Sequence, residues 1–191
     1  MGGVRLRYDD WKSIVRESSP LIALMMFIEI GGGGMLESMN EVFYAIPALL
    51  ALVPLINAIG GNAGSVIGAR LSSGLHLGMI EPSFRDKEVL DNMFMAGIMG
   101  MGAKLISAAF LFAILPVIGM AMGLSIWTWL SITLIASVIV LGAVLPAAVI
   151  TSIIAFRKGK SPDDFTIPVV STVGDFTGIL AILLAIKMVG I

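Results

Sequence analysis

The run Val169-Val-Ser-Thr-Val-Gly-Asp-Phe-Thr-Gly-Ile-Leu-Ala-Ile-Leu-Leu184 reads as a membrane-spanning helix with a single carboxylate, Asp175, near its middle. An aspartate at the centre of a bilayer span costs about 2.5–3.5 kcal/mol on insertion scales, and such residues face a protein interior or a water-filled path. A chain that carries one there has to surround it with other helices. The composition supplies the material: 58% of the 191 residues are hydrophobic and only 13% are charged. Soluble domains carry roughly 45–50% and about 25%, so there is too little charge here to cover a water-facing surface. At about 20 residues per span the chain has room for five spans with short loops. The expected fold is an all-α, multi-pass protein of the cell membrane, with the lipid bilayer as its solvent.

In chain order, residues 1–18 form an N-terminal segment. Within it Arg5 to Ser19 is amphipathic, with Trp11, Ile14, Val15 and Ser18 on one helical face and Asp10, Lys12, Arg16 and Glu17 elsewhere. That pattern suits a short helix lying on the membrane surface, and equally a polar tail leading into a span. Residues 19–191 then hold five spans. The first runs from about Ser19 to Met35, opened by Pro20 and interrupted by Gly31-Gly-Gly-Gly34. Glycines cost about 1 kcal/mol each in a helix interior, so a break or a close backbone approach is expected there. The second covers about Phe43 to Arg70 and is broken by Pro47 and Pro54. The others cover about Asn92 to Gly119, Ser125 to Phe156 and Phe165 to Gly190.

Charge orients the bundle. Arg5, Arg7, Lys12 and Arg16 precede the first span, Arg70, Arg85 and Lys87 lie between the second and third, and Arg157, Lys158 and Lys160 between the fourth and fifth. The two remaining loops contain no lysine or arginine. The positive-inside rule then puts the N-terminus in the cytoplasm and the C-terminus outside. No short apolar run with a small-residue cleavage site marks a signal peptide. The absence of cysteine excludes disulfides, haem attachment and thiolate metal sites. No catalytic constellation and no phosphate-cradling loop is present, so no enzyme activity, nucleotide or nucleic-acid partner is expected. His76, alone in its loop, is not expected to be a ligand.

Asp175, flanked by Gly174 and Gly178, is suited to a hard cation when hydroxyls such as Thr172 and backbone carbonyls stand near it. Magnesium is commonly held by one or two carboxylates and its own waters, which fits one aspartate per chain if a second chain supplies another. The alternative is a structural carboxylate satisfied by Ser171 and Thr172 or by Lys104. In the second span, Gly60, Gly64 and Gly68 fall at the spacing that lets membrane helices approach closely. Beside them Gly61 can expose backbone oxygen, and Asn62 can offer its carbonyl to a partly hydrated ion; Asn57 has the same capacity. Glu37 and Glu41 would concentrate cations at the outer side, or are simply solvated loop acids. Asp163 and Asp164 open the last span, where they cap the helix or meet an ion leaving the pathway. Glu29 and Lys104 are the other intramembrane charges and are candidates to pair with each other.

Two stretches together resemble the MgtE family of magnesium channels and the related eukaryotic solute carriers that contain the same unit twice. Val53-Pro-Leu-Ile-Asn-Ala-Ile-Gly-Gly-Asn-Ala-Gly-Ser-Val-Ile-Gly-Ala-Arg-Leu-Ser-Ser73 is similar to the family's proline and Gly-Gly-Asn-x-Gly segment. Ser161-Pro-Asp-Asp-Phe-Thr-Ile-Pro-Val-Val-Ser-Thr-Val-Gly-Asp-Phe-Thr-Gly-Ile-Leu180 is similar to its last span, and Leu36-Glu-Ser38 to the acidic entrance. Ser65 and Val66 stand where the bacterial motif continues with Asn-Gln. The chain is similar to the membrane portion of bacterial members and to one half of the eukaryotic ones. The resemblance implies a homodimer, Asp175 as the central ion-binding residue, and Asn62 and Gly61 along the adjoining pathway. The transported ion would be Mg2+, with other divalent cations in reach. The other readings are a Mg2+ exchanger coupled to Na+ or H+, and a non-conducting membrane assembly subunit in which Asp175 holds a helix contact through Lys104.

Overall fold

A computed structural model describes residues 10–38, 40–120 and 123–191. Its long helices follow the apolar runs: α1 (Asp10–Glu37), α3 (Leu52–His76), α4 (Lys87–Ile114), α5 (Ile126–Arg157) and α6 (Pro162–Val189). Short α2 (Asn40–Ala45) and a 3-10 turn (Pro47–Ala51) lead into α3. Five helices are long and apolar enough to cross a membrane. α5, of 32 residues, extends about 48 Å at 1.5 Å per residue, so it exceeds the about 30 Å hydrocarbon layer and must tilt or protrude.

Several boundaries differ from the sequence reading for local reasons. α1 is one unbroken helix from Asp10 through Pro20 and the glycine run. In lipid no water competes for backbone groups freed by a break, so the helical hydrogen bonds persist. Of the glycines only Gly32 approaches another helix, facing Ile179 and Phe176 of α6. Pro47 starts the 3-10 turn, and Pro54, in the first turn of α3, breaks nothing. α4 begins earlier than its apolar run because the Asp86 carboxylate accepts from the Glu88 and Val89 amides at 2.8 and 3.4 Å. Ser125 caps α5 by accepting from the Thr128 amide. Residues 1–9, and the side chains of Trp11 and Ile14, on which the amphipathic reading rests, lie outside the described residues.

Contacts fix the helix directions. Gly61 meets Gly174 and Gly68 meets Thr166, so α3 and α6 run antiparallel; Gly60 meets Val140 and Gly64 meets Val144, so α3 and α5 run parallel. Gly97 and Gly100 of α4 face Leu145 and Leu141 of α5 in the reverse sense. Successive spans therefore alternate, and α1 lies alongside α6 in the same direction. The core between α3, α5 and α6 is apolar, with Ile56, Ile67, Ile132, Val140, Val144 and Ile182 fully enclosed. Outward-facing Phe27, Ile30, Phe94, Ile106 and Phe110 remain exposed, as lipid-facing residues should.

One end of the bundle gathers the basic loops. Arg157 donates from Nε to the Pro82 carbonyl at 3.1 Å and lies over the Phe84 ring, which clamps the α3–α4 loop to the end of α5. There His76 contacts the Ser72 carbonyl through Nδ1 at 2.8 Å and meets Phe156 edge-on. These contacts tie the end of α3 to the end of α5.

Candidate cation site

At the seam between α3 and α6 the backbones come into close contact. A Cβ on Gly174 would stand 3.1 Å from the Gly61 nitrogen, and one on Gly178 would collide with the Asn57 side-chain oxygen Oδ1. Further along, Gly64 lies under Val144 and Val170, and Gly68 under Thr166. The glycine spacing of α3 thus draws α6 in, and Asp175, next to Gly174, is carried to the edge of the contact. It is half-buried. The Asn57 side-chain amide lies beside its carboxylate, and the Glu29 carboxylate is close enough to act on it electrostatically.

Glu29 comes from α1. Thr172, buried on α6 one turn before Asp175, donates from Oγ1 to Glu29 Oε1 at 2.8 Å. Four polar groups from three helices therefore meet: Glu29, Asn57, Thr172 and Asp175. Their oxygens are the hard donors that suit Mg2+ or Ca2+ rather than soft metals. Glu29 is otherwise exposed on the surface of the single chain, although it sits well inside a span, where an acid normally faces a cavity or another protein surface. The side of the cluster away from α3 is consequently open.

Lys104 does not join it. Its Nζ has no hydrogen-bond partner among the described residues, so it pairs with neither Glu29 nor Asp175. Asn62 also lies elsewhere. Consecutive helical residues point about 100° apart, and while Gly61 faces α6, Asn62 is exposed in a groove of about 460 Å³ between α3 and α4, with Arg70 and Asn92. Glu37 ends α1 beside a cavity of about 500 Å³ lined also by Asn40, Tyr44 and Met120. Glu41 is exposed nearby on α2. At the opposite end, Asp163 accepts from Ser72 Oγ at 3.1 Å and leaves Oδ1 buried without a partner among the described residues. Neither Asp163 nor Asp164 is the capping residue of α6. Ser161 holds that position without a side-chain cap bond, and both acids lie in the first turn, where they complement the helix dipole.

The part of this arrangement that sequence reading missed is the grouping of Glu29 with Asp175. Glu29 is held there by Thr172, 143 positions away from it and one turn before Asp175, and no short motif signals such a pairing. The one available hint was that Glu29 is a second acid in an apolar span.

Comparison with known proteins adds a separate line of support. Residues 53–185 match the family model MgtE, described as a divalent cation transporter. Over 178 residues the chain is 29% identical to solute carrier family 41 member 2 of Homo sapiens, which covers 83% of this chain and 29% of that protein. The chain thus spans under a third of the length of that curated relative. No solved structure matches it.

Proposed function

This chain belongs to the MgtE family of divalent cation transporters, and from that premise we propose that it moves Mg2+ across the plasma membrane through a pathway centred on Asp175 and completed by a second copy of the chain. The observation that carries the proposal is the open polar cluster in the middle of the spans. Asp175 and Glu29 supply two carboxylates, Thr172 holds Glu29 in place, and Asn57 lies beside Asp175. Two carboxylates and retained waters are the usual protein contribution to a magnesium site. The exposed side of Glu29 calls for a cover, and a second copy supplies one along with its own Asp175. Facing carboxylates repel each other unless a cation lies between them, which favours occupancy by a doubly charged ion.

Supporting roles follow position. Gly61 and Gly174 keep α3 and α6 in backbone contact, which fixes the depth of Asp175. Glu37 and Glu41 form an acidic approach at one end, and Asp163 and Asp164 stand at the other. Asn62 is assigned to the α3–α4 groove rather than to the ion. With the basic loops on the cytoplasmic side, an inside-negative potential of 100 mV drives a divalent ion inward with about 4.6 kcal/mol, at about 2.3 per charge.

The test is Mg2+ uptake into liposomes holding the purified protein and a trapped indicator, at a set potential. Wild type should show saturable uptake that scales with voltage. Asp175→Asn should remove it while leaving the oligomer intact on size-exclusion chromatography. Undiminished uptake by the variant contradicts the proposal.

A further inference from the structure

Glu29, Lys104 and Asp175 are charges set well inside the spans, away from their ends, and the function proposed above leaves Lys104 without a task. Its side chain is completely enclosed, at 0% exposure. Its Nζ has no hydrogen-bond partner among the described residues and lies 3.5 Å from where a Cβ on Gly60 would stand. No charged group faces it from the elements packed around it. α3 has none between Leu52 and Ala69, and α5 has none between Ile126 and Phe156. On α4 itself the nearest, Asp91, lies 13 positions away, about 20 Å along the axis. An ionisable side chain deep in a span is expensive and marks a functional position by default. Replacing a buried charge with an apolar group of similar size is often neutral or stabilising, so packing gives no reason for a lysine here.

The way it is enclosed suggests what it acts on. Lys104 reaches α3 at Gly60, the carboxylate cluster reaches it at Asn57, and Ser171 and Gly174 of α6 meet it at Gly61. The amine and the cluster therefore meet adjoining faces of the same turn of α3, about 60° apart around its axis, with no side chain at Gly60 to lengthen the separation. Across a dry helix the field of a unit charge is screened far less than in water.

We propose that Lys104 is a tethered internal cation that opposes ion occupancy at Asp175 across α3, and so sets how tightly the site holds a divalent ion and how readily it lets go. The inference rests on the reading of Asp175 as the cation site. Its signature is valence. A fixed positive charge acts on a divalent ion with twice the energy it exerts on a monovalent one. Removing it therefore changes divalent affinity by the square of the factor for monovalent affinity.

The test uses the full chain in nanodiscs, with Mg2+ binding measured directly and Na+ binding measured by competition. Lys104→Met keeps the length of the side chain and removes the charge; Lys104→Gln is the second variant should the first fail to fold. Mg2+ should bind at least tenfold tighter in the variant and Na+ about threefold tighter. Adding Asp175→Asn to the same background should abolish saturable binding. Mg2+ affinity that is unchanged or weaker in a folded variant overturns the proposal, as does an equal factor for both ions, which is what a purely structural lysine would give. If the wild-type chain binds no divalent ion saturably, the Asp175 reading fails and takes this inference with it. Wild-type binding that Lys104→Met leaves unmoved removes the Lys104 inference alone.

Discussion

α5 and α6 pack against each other more extensively than any other pair of helices, and each buries half of its most apolar stretch. They nevertheless treat the polar side chains in the middle of the span differently. There α5 keeps its hydroxyls to itself: Thr133 donates to the Trp129 carbonyl at 2.9 Å and Ser137 to the Thr133 carbonyl at 2.5 Å. α6, although Thr177 bonds back to its own Val173 carbonyl, sends Thr166, Thr172 and Asp175 outward. Thr166 bonds with Ser152 of α5 at 3.0 Å, Thr172 holds Glu29 of α1, and Asp175 lies beside Asn57 of α3. In hydrocarbon each polar group has to find a partner within the protein. A span satisfied by its own backbone serves as scaffold, whereas one that exports its polar groups draws neighbours into a site.

Substitutions matched between the two helices are the sharpest way to break that contrast. Asp175→Asn on α6 should lower Mg2+ flux at least a hundredfold, whereas Ser137→Ala on α5 should leave flux within twofold; equal losses would erase the distinction. Next in size are the glycines. Gly64→Ala drives a methyl into Val144 and Val170 and should cost about 1–3 kcal/mol through overpacking. Gly142→Ala on α5 meets nothing within 4 Å and should be neutral or stabilising by up to about 1 kcal/mol from helix propensity. Thermal unfolding in detergent separates the two. The smallest effect is expected from the hydroxyls. Thr172→Val should cost no more than about 2 kcal/mol, since interhelical hydrogen bonds in membranes average about 0.6, yet it should reduce flux several-fold by releasing Glu29. Thr133→Val should have a similar cost in stability and none in flux.

The spans were legible because each carries a long apolar run, and Asp175 because a carboxylate in such a run is costly. Helix ends were less legible. The opening of α4 depends on Asp86 accepting backbone amides, and its first turn, Lys87-Glu-Val-Leu-Asp91, lies outside the apolar run. The glycine motif of α3 gave close approach to α6 but could not show that Asn62, one residue past Gly61, turns towards α4. Glu29 and Lys104 looked like natural partners on charge alone. Folding separates them, because α1 packs on α6 while Lys104 is enclosed between α3, α4 and α5. Such placements depend on which helices become neighbours, and local pattern does not encode that.

Crystals or particles prepared with Mn2+ in place of Mg2+ would locate the ion itself by anomalous scattering or density. The account predicts a peak beside the Asp175 carboxylate and within reach of Glu29, at about 2–2.2 Å if directly ligated or about 4 Å if the ion keeps its waters. A peak confined to the α3–α4 groove or to the Glu37 cavity, with nothing beside Asp175, would contradict it.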